Sequence, residues 1–380
     1  MGDFRLGSVF GFEIRIDFSW FIIFALILWS FTFGVFPASF PGLGTATYIG
    51  MGVVGTLLFF ASLLAHELSH SVVARTKGIP VEGITLFIFG GMARTRLEAE
   101  EPGDEFYIAV VGPVSSIVIG LLFGLVWWGG TRAGWSVAVT GVAAYLGVLN
   151  VALAVFNLLP GFPLDGGRLF RSLVWKMTGD VTKATRVAST GGKWLGYVLV
   201  GLGILQAFSG NMLGGLWLVF IGWFLRNAAI TSYEQHVVRM VLEGVRAAET
   251  MTRNPETVPS DLTVQDLVDD YFMRRRYQAF PVVDDGHPVG IVTLHQVKEL
   301  PREEWSARTV GSIMAQARDG MTVRPEESMT SVLEKMEASG VRRVLVTRDG
   351  RLEGIITATD VAGWLDRARQ LGAERPARRP

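Results

Sequence analysis

Two kinds of hydrophobic pattern follow one another along the chain. Up to about residue 231, long runs carry almost no charge: 18–36, 47–74, 106–128, 136–159, 194–208 and 212–225 are apolar or nearly so. Most approach the ~20 residues with which a helix crosses a ~30 Å hydrocarbon layer. The pattern predicts a membrane α-helical domain at 1–231 with about six transmembrane helices, the fifth and sixth runs being the shortest. The stretch 81–93 reads differently, as an apolar, strand-rich hairpin with Gly90 and Gly91 at its turn. The first run is too long for the core of a cleavable secretory signal, and no small-residue cleavage site follows it.

Beyond about residue 232 the alternation shortens. Strand-like runs at 279–283, 290–293, 343–347 and 352–357 alternate with helical periodicity at 264–273 and 329–338. The stretch repeats itself. Gly290-Ile-Val-Thr-Leu-His-Gln-Val returns 64 residues later as Gly354-Ile-Ile-Thr-Ala-Thr-Asp-Val, and the surroundings of Met251 return near Met314. Two copies of this length imply two small α/β units packed on each other.

Charge sharpens the division. Residues 1–235 hold 27 charged side chains and residues 236–380 hold 43, roughly 11% against 30% of positions, so the two parts suit two solvents. The 35 basic and 35 acidic groups balance, which excludes a chain with a global basic field for nucleic acid. The absence of Cys excludes a disulfide scaffold, a Cys nucleophile and any thiolate metal site. Between the apolar runs, Lys and Arg number zero, four, one, six and zero in chain order. The positive-inside rule then expects a multi-pass protein of the cell membrane with both termini in the cytoplasm.

The repeat is similar to a pair of cystathionine-β-synthase (CBS) domains, at 245–300 and 308–365. The resemblance implies an adenine-nucleotide site (ATP or AMP) on the Gly-hydrophobic-x-Thr-x-x-Asp ending of each copy, with the Asp on ribose hydroxyls and the Thr on a phosphate. The second copy has Thr357 and Asp360. The first has Thr293, but Gln296 where the Asp would stand. The pair is either such a regulatory sensor or a module for packing and homodimerisation. The Arg- and Pro-rich stretch 366–380 is expected to be a disordered basic tail.

Ionisable side chains at membrane depth are costly and mark function by default. The six runs contain three, His66, Glu67 and His70, spelling His-Glu-Leu-Ser-His towards the end of the second run. On a helix His66 and His70 stand at i and i+4, so both imidazoles leave one face and can share a Zn2+. Glu67 lies about 100° round, within reach of a metal-bound water as general base. A catalytic zinc takes three protein ligands and keeps a position for water. With no Cys and no further His before His236, the third ligand should be a carboxylate near a span, and Asp165 is the candidate. Ahead of it Pro160, Gly161 and Pro163 end a helix, and Gly166 and Gly167 are expected to let the chain approach the metal. Taken alone, Asp165 reads equally as the cap of the helix that follows.

With these motifs in view, the chain resembles the site-2 protease family, intramembrane zinc metalloproteases of the peptidase M50 type, in the subgroup with C-terminal CBS domains. That family pattern has His-Glu-x-x-His in one span and Asn-x-x-Pro…Asp-Gly in a later one. Gly112-Pro113-Val-Ser-Ser is similar to its Gly-Pro-x-x-Asn/Ser element. The resemblance implies one catalytic Zn2+ on His66, His70 and Asp165, Glu67 as base, and Asn157 as a polar partner of the substrate peptide or the oxyanion. Asn157 reads otherwise as a helix-packing amide. The implied substrates are membrane-bound regulators such as anti-sigma or pro-sigma factors, cut near the cytoplasmic face. The hairpin at 81–93 would bind an unwound substrate by β-augmentation or merely seal the cavity. A competing reading is a CBS-gated transporter or channel with His66, Glu67 and His70 as an ion relay; no repeat relates the two halves of the spans.

Overall fold

The computed structural model describes residues 3–88, 90–95, 99–318 and 320–371. The chain divides into two units, Met1–Glu234 and Gln235–Pro380. The first opens on a hairpin, β1 (Asp3–Val9) and β2 (Phe12–Asp17), turned at Phe10 and Gly11, both at positive φ. Asp17 ends β2 and caps the next helix, its carboxylate accepting from the Ser19 N–H at 2.8 Å. That helix, α1 (Phe18–Ser30), passes through a π turn (Phe31–Val35) into α2 (Phe36–Ser39), and α3 (Thr45–Thr76) follows. α3 leads to β3 (Val81–Phe87) and β4 (Gly90–Thr95).

The four strands form one sheet in the order β1-β2-β3-β4. β2 and β3 pair in parallel, so the chain between them must cross over, and α1 to α3 are that crossover. Alternation puts Ile14 and Ile16 of β2 and Ile84 and Leu86 of β3 on one buried face. They pack on Trp20 of α1 and on Leu64 and Leu68 of α3, which seats the sheet beside the turn of α3 that carries His66 to His70. Phe87 pairs with Gly90 and Leu86 with Gly91, so both glycines belong to β4 and not to the turn.

Five helices follow: α4 (Pro102–Arg132), α5 (Val137–Asn157), α6 (Asp165–Thr178), α7 (Val181–Phe208) and α8 (Met212–Leu242). Among the described residues, five segments are long and apolar enough to cross a membrane: Phe18–Ser39, Thr45–Thr76, Pro102–Arg132, Val137–Asn157 and Met212–Leu242. The expected fifth span of six differs. The run 194–208 is only the second half of α7, whose first half carries Lys183, Arg186 and Lys193. Leu121, Leu125, Val148 and Val155 are exposed, whereas Thr56, Ser62, Ser116 and Asn150 are buried. Apolar outside with polar and small residues inside suits lipid as the solvent: this is a membrane protein.

The second unit comprises α9 (Ala247–Thr250), β5 (Thr252–Arg253), α10 (Val264–Asp266), β6 (Ala279–Asp284), β7 (His287–Thr293), α11 (Leu294–Lys298), α12 (Val310–Ile313), β8 (Ala315–Gln316), β9 (Thr322–Val323), α13 (Met329–Ala338), β10 (Arg343–Arg348), β11 (Arg351–Thr357) and α14 (Ala358–Gln370). Each copy of the repeat is built on a hairpin. Asp285-Gly286 and Asp349-Gly350 turn them, all four residues at positive φ.

The copies exchange strands. β5 precedes the first copy yet pairs with β11 of the second, and β8 leads into the second yet pairs with β7 of the first. A side chain at Gly354 would meet Met251 Sδ at 2.6 Å, and one at Gly290 would meet Met314 Sδ at 2.7 Å, so each repeated glycine makes room for the other copy's methionine. Each copy has its own core, and Ile291, Leu345 and Ile355 join them. The start of the stretch expected as a tail is helix instead. Val361, Trp364, Leu365 and Ala368 are helically spaced and the first three pack on the second core, so α14 runs to Gln370; 372–380 lie outside the described residues.

Candidate functional site

His66 and His70 are buried on α3, and Asp165 is the first residue of α6. The structure brings these three together. His66 Nε2 lies 3.1 Å from Asp165 Oδ2, His70 Nε2 lies 3.2 Å from the same oxygen, and the two Nε2 atoms are 3.2 Å apart. The far side of each ring is engaged. His70 Nδ1 meets the Ile108 carbonyl at 2.6 Å, and His66 Nδ1 meets Ser116 Oγ at 2.9 Å. A carbonyl only accepts, so His70 carries its proton on Nδ1 and presents a lone pair at Nε2. His66 does the same when Nδ1 donates to the Ser116 hydroxyl.

Two imidazole lone pairs and a carboxylate oxygen thus converge with no proton assigned between them, an arrangement that calls for a cation. Donors ~2.0–2.1 Å from a tetrahedral Zn2+ stand about 3.3 Å from one another. The observed triangle of 3.1–3.2 Å is close to that, and two nitrogens with one oxygen are a donor set zinc accepts. The residues fit the ion.

α4 forms a wall of this centre. A side chain on Gly112 would collide with His70 Nε2 and His66 Nε2. Gly112, Ile108 and Ser116 share one stripe of the helix, so α4 supplies a carbonyl, a gap and a hydroxyl in turn. Glu67 is half-buried next to His66, and its Cγ and Cδ lie where a Gly91 side chain would stand, so β4 can run over it only as glycine.

The alternative in which Asp165 caps its own helix is not what the backbone adopts. Leu164 holds the cap position, and Asp165 turns to the histidines. Gly166 and Gly167 serve another contact than the one expected. Side chains there would strike the backbone of Leu158 and Leu159 and of Gly161 and Phe162, so they let the loop fold onto α6 rather than let the chain near the metal. Asn157 is the last residue of α5, half-buried, with no hydrogen bond from its amide among the described residues. The packing amide is Asn150, which donates to Leu146 O at 2.9 Å and Ser62 Oγ at 3.3 Å.

In the second unit, Thr357 and Asp360 line a cavity of about 380 Å³ together with Thr252, Arg276, Tyr277 and Arg343. Asp360 Oδ2 accepts from the Thr357 N–H at 2.8 Å and hydroxyl at 2.6 Å, and Oδ1 accepts from Thr252 Oγ1 at 2.9 Å. Thr293 is not part of this cavity. It caps α11, where Gln296 Oε1 accepts from its N–H at 2.7 Å and its hydroxyl at 2.9 Å. Ser116 is the Ser of the Gly112-Pro113-Val-Ser-Ser element, whereas the Ile108 carbonyl and Thr252 carry no signal of their own in the sequence. Ile108 and Ser116 stand four residues before and four after Gly112, at helical spacing.

Two family models match the chain, that of peptidase family M50 at 54–132 and 130–199 and that of the CBS domain at 245–303 and 310–367. Rip3 of Mycobacterium tuberculosis, named as a candidate zinc metalloprotease, is 38% identical over 365 residues, 95% of this chain and 92% of the relative. The similarly named sll0528 of Synechocystis is 33% identical over 94% of each chain. A solved site-2 protease from Methanocaldococcus jannaschii is 26% identical, covering 61% of this chain and 95% of that one with a TM-score of 0.43. From the motif helix through the second repeat, the sequence and its relatives agree: the chain belongs to peptidase family M50 and carries a pair of CBS domains behind its peptidase region.

Proposed function

We propose that the chain is an intramembrane zinc metalloprotease that cuts membrane-embedded or membrane-adjacent segments near the cytoplasmic face. The observation that carries this reading is the convergence of His66 Nε2, His70 Nε2 and Asp165 Oδ2 within 3.2 Å of one another inside an apolar helical unit. These three residues hold one Zn2+. Zinc bound there would supply Lewis acidity, to acidify a water and polarise the scissile carbonyl. Glu67, one residue on from His66, accepts the proton of the attacking water and delivers it to the departing amine. Asn157, whose amide makes no hydrogen bond among the described residues, donates to the oxyanion or to the substrate backbone, an interaction worth about 3 kcal/mol in comparable holes. β4 is an edge strand lying against Glu67 at Gly91, and an unwound substrate added to that edge would be delivered to the base.

In this reading α7 supplies a sixth crossing and both termini are cytoplasmic, supported by the Lys and Arg clusters after the second and fourth apolar runs. Adenine nucleotide in the cavity at Thr252, Thr357 and Asp360 regulates proteolysis, which by linkage requires two states of unequal nucleotide affinity. The first copy has the uncharged Gln296 where the second has Asp360, which favours one nucleotide site over two. The substrate class is a membrane-anchored regulator of the anti-sigma or pro-sigma kind, and the CBS pair serves homodimerisation. The test is reconstitution with such a substrate beside Glu67→Gln. Cleavage should fall by about 10²–10⁴-fold while bound zinc is retained. Equal cleavage by the two proteins, or a purified wild type free of zinc, would overturn the reading.

A further inference from the structure

We infer that Glu105 and Arg171 are positioning residues of the metal centre: their buried ion pair fixes α6, and with it Asp165, against the stripe of α4 that orients the two histidines. The inference rests on the zinc reading above.

Glu105 has no exposed surface and Arg171 is 6% exposed. Glu105 Oε1 accepts from Arg171 Nε at 2.6 Å, and Arg171 Nη2 pairs with the same oxygen. Arg168 Nε stands 3.8 Å away. The Arg171 guanidinium also lies over the ring of Phe162, 5.3 Å from its centroid, which ties the loop before α6 into the same contact. Glu105 Oε2 is buried without a hydrogen bond among the described residues.

Packing alone does not call for such a pair. A buried ion pair is often matched or bettered by apolar side chains of similar volume. An apolar contact lacks direction, however. Here two N–H groups of one planar guanidinium converge on a single carboxylate oxygen, a contact with a preferred direction and distance that restricts the rotation and height of one helix on another. The placement gives that direction a use. Glu105, Ile108, Gly112 and Ser116 fall at i, i+3, i+7 and i+11 of α4, on one stripe. Three of them meet the histidines: the Ile108 carbonyl, the bare Gly112 and the Ser116 hydroxyl. The fourth grips Arg171, six residues after Asp165 on α6. One helix face therefore references all three ligands to a common frame, and without that contact a shift of α6 would open the triangle.

The test compares zinc affinity, by chelator competition on the full-length detergent-purified protein, for wild type, the double variant Glu105→Met with Arg171→Met, and Arg171→Lys. The double variant removes both charges together and keeps the volume, so helical content by circular dichroism should be retained. Its zinc affinity should fall about 10–100-fold, as for other groups that hold metal ligands in place. Arg171→Lys keeps the charge without the planar guanidinium and should weaken zinc less than the double variant does. Wild-type affinity in the folded double variant overturns the inference. If that protein does not fold, Arg171→Lys decides, and wild-type affinity there overturns it. His70→Ala separates the premise: if it holds zinc as tightly as wild type, the zinc reading fails, whereas zinc lost in His70→Ala but kept in both pair variants condemns the positioning role alone.

Discussion

Asp165 and Asp360 both stand in the first turn of a helix that follows an irregular or extended segment, and they do opposite things. Asp360 turns back. It accepts from the Thr357 backbone and hydroxyl and from Thr252, and so closes the start of α14. Asp165 turns away from α6 towards two imidazoles that lie 95 and 99 residues earlier in the chain. The first CBS copy supplies a control, because Gln296 makes the same closing contacts as Asp360 without a charge. Capping is thus what an acid or amide at such a position does when nothing stronger reaches it. Two buried histidines are stronger, and they turn a helix-starting residue into a candidate ligand.

The comparison can be broken at its firmest point. Asp165→Asn should leave helical content unchanged, because Leu164 and not Asp165 occupies the cap position. It should also abolish bound zinc and substrate cleavage, measured as metal per chain and cut fragment. Zinc at the wild-type level would mean that Asp165 belongs to its own helix, as Asp360 does. A smaller effect is expected at Gly112→Ala. The added carbon would strike His66 and His70, and overpacking of this kind costs ~1–3 kcal/mol. Its melting temperature and zinc content should drop together, and a drop in neither would show that α4 can retreat from the centre. The smallest effect sharpens the contrast within the repeat. Asp360→Ala and Gln296→Ala should each cost ~0.3–1.5 kcal/mol as lost capping contacts. Only Asp360→Ala should also lose nucleotide binding in a titration of the intact chain. Binding that survives it would remove Asp360 from the nucleotide site and leave it a cap like its partner.

What the sequence discloses depends on how far apart the interacting groups lie. His66 and His70 share one helical face at a fixed spacing, so their partnership can be read locally. Asp165 was reachable only by elimination, because its allegiance is decided by a helix nearly a hundred positions away. Glu105 was overlooked by one residue. The apolar run starts at Phe106, while α4 starts at Pro102, and only the distant Arg171 makes a buried carboxylate tolerable there. The hairpin of β1 and β2 had its own signal, with Phe12, Ile14 and Ile16 alternating with Glu13, Arg15 and Asp17. The long apolar run that begins at Phe18 masked it. In α7 a continuous helix spans a polar half and an apolar half, so composition marked only the second. The repeat, by contrast, was legible because both copies carry the same Asp-Gly turn and the same glycine-led strand, although the exchange of β5 and β8 leaves no mark in either copy alone.

That exchange bears on how the chain is made. On a ribosome the first CBS copy emerges with β6 and β7 ready to pair, but the strand that completes its sheet, β8, follows only at residues 315–316. β5 emerges earlier still and must wait for β11 at 351–357, nearly a hundred residues of synthesis later. The first copy's sheet can close once β8 has been made, but the second closes only when β11 follows, so β5 stays unpaired while most of the pair is synthesised. A chain cut between the two copies would be left with one unmatched strand and one open sheet edge, the kind of surface that invites aggregation and quality control.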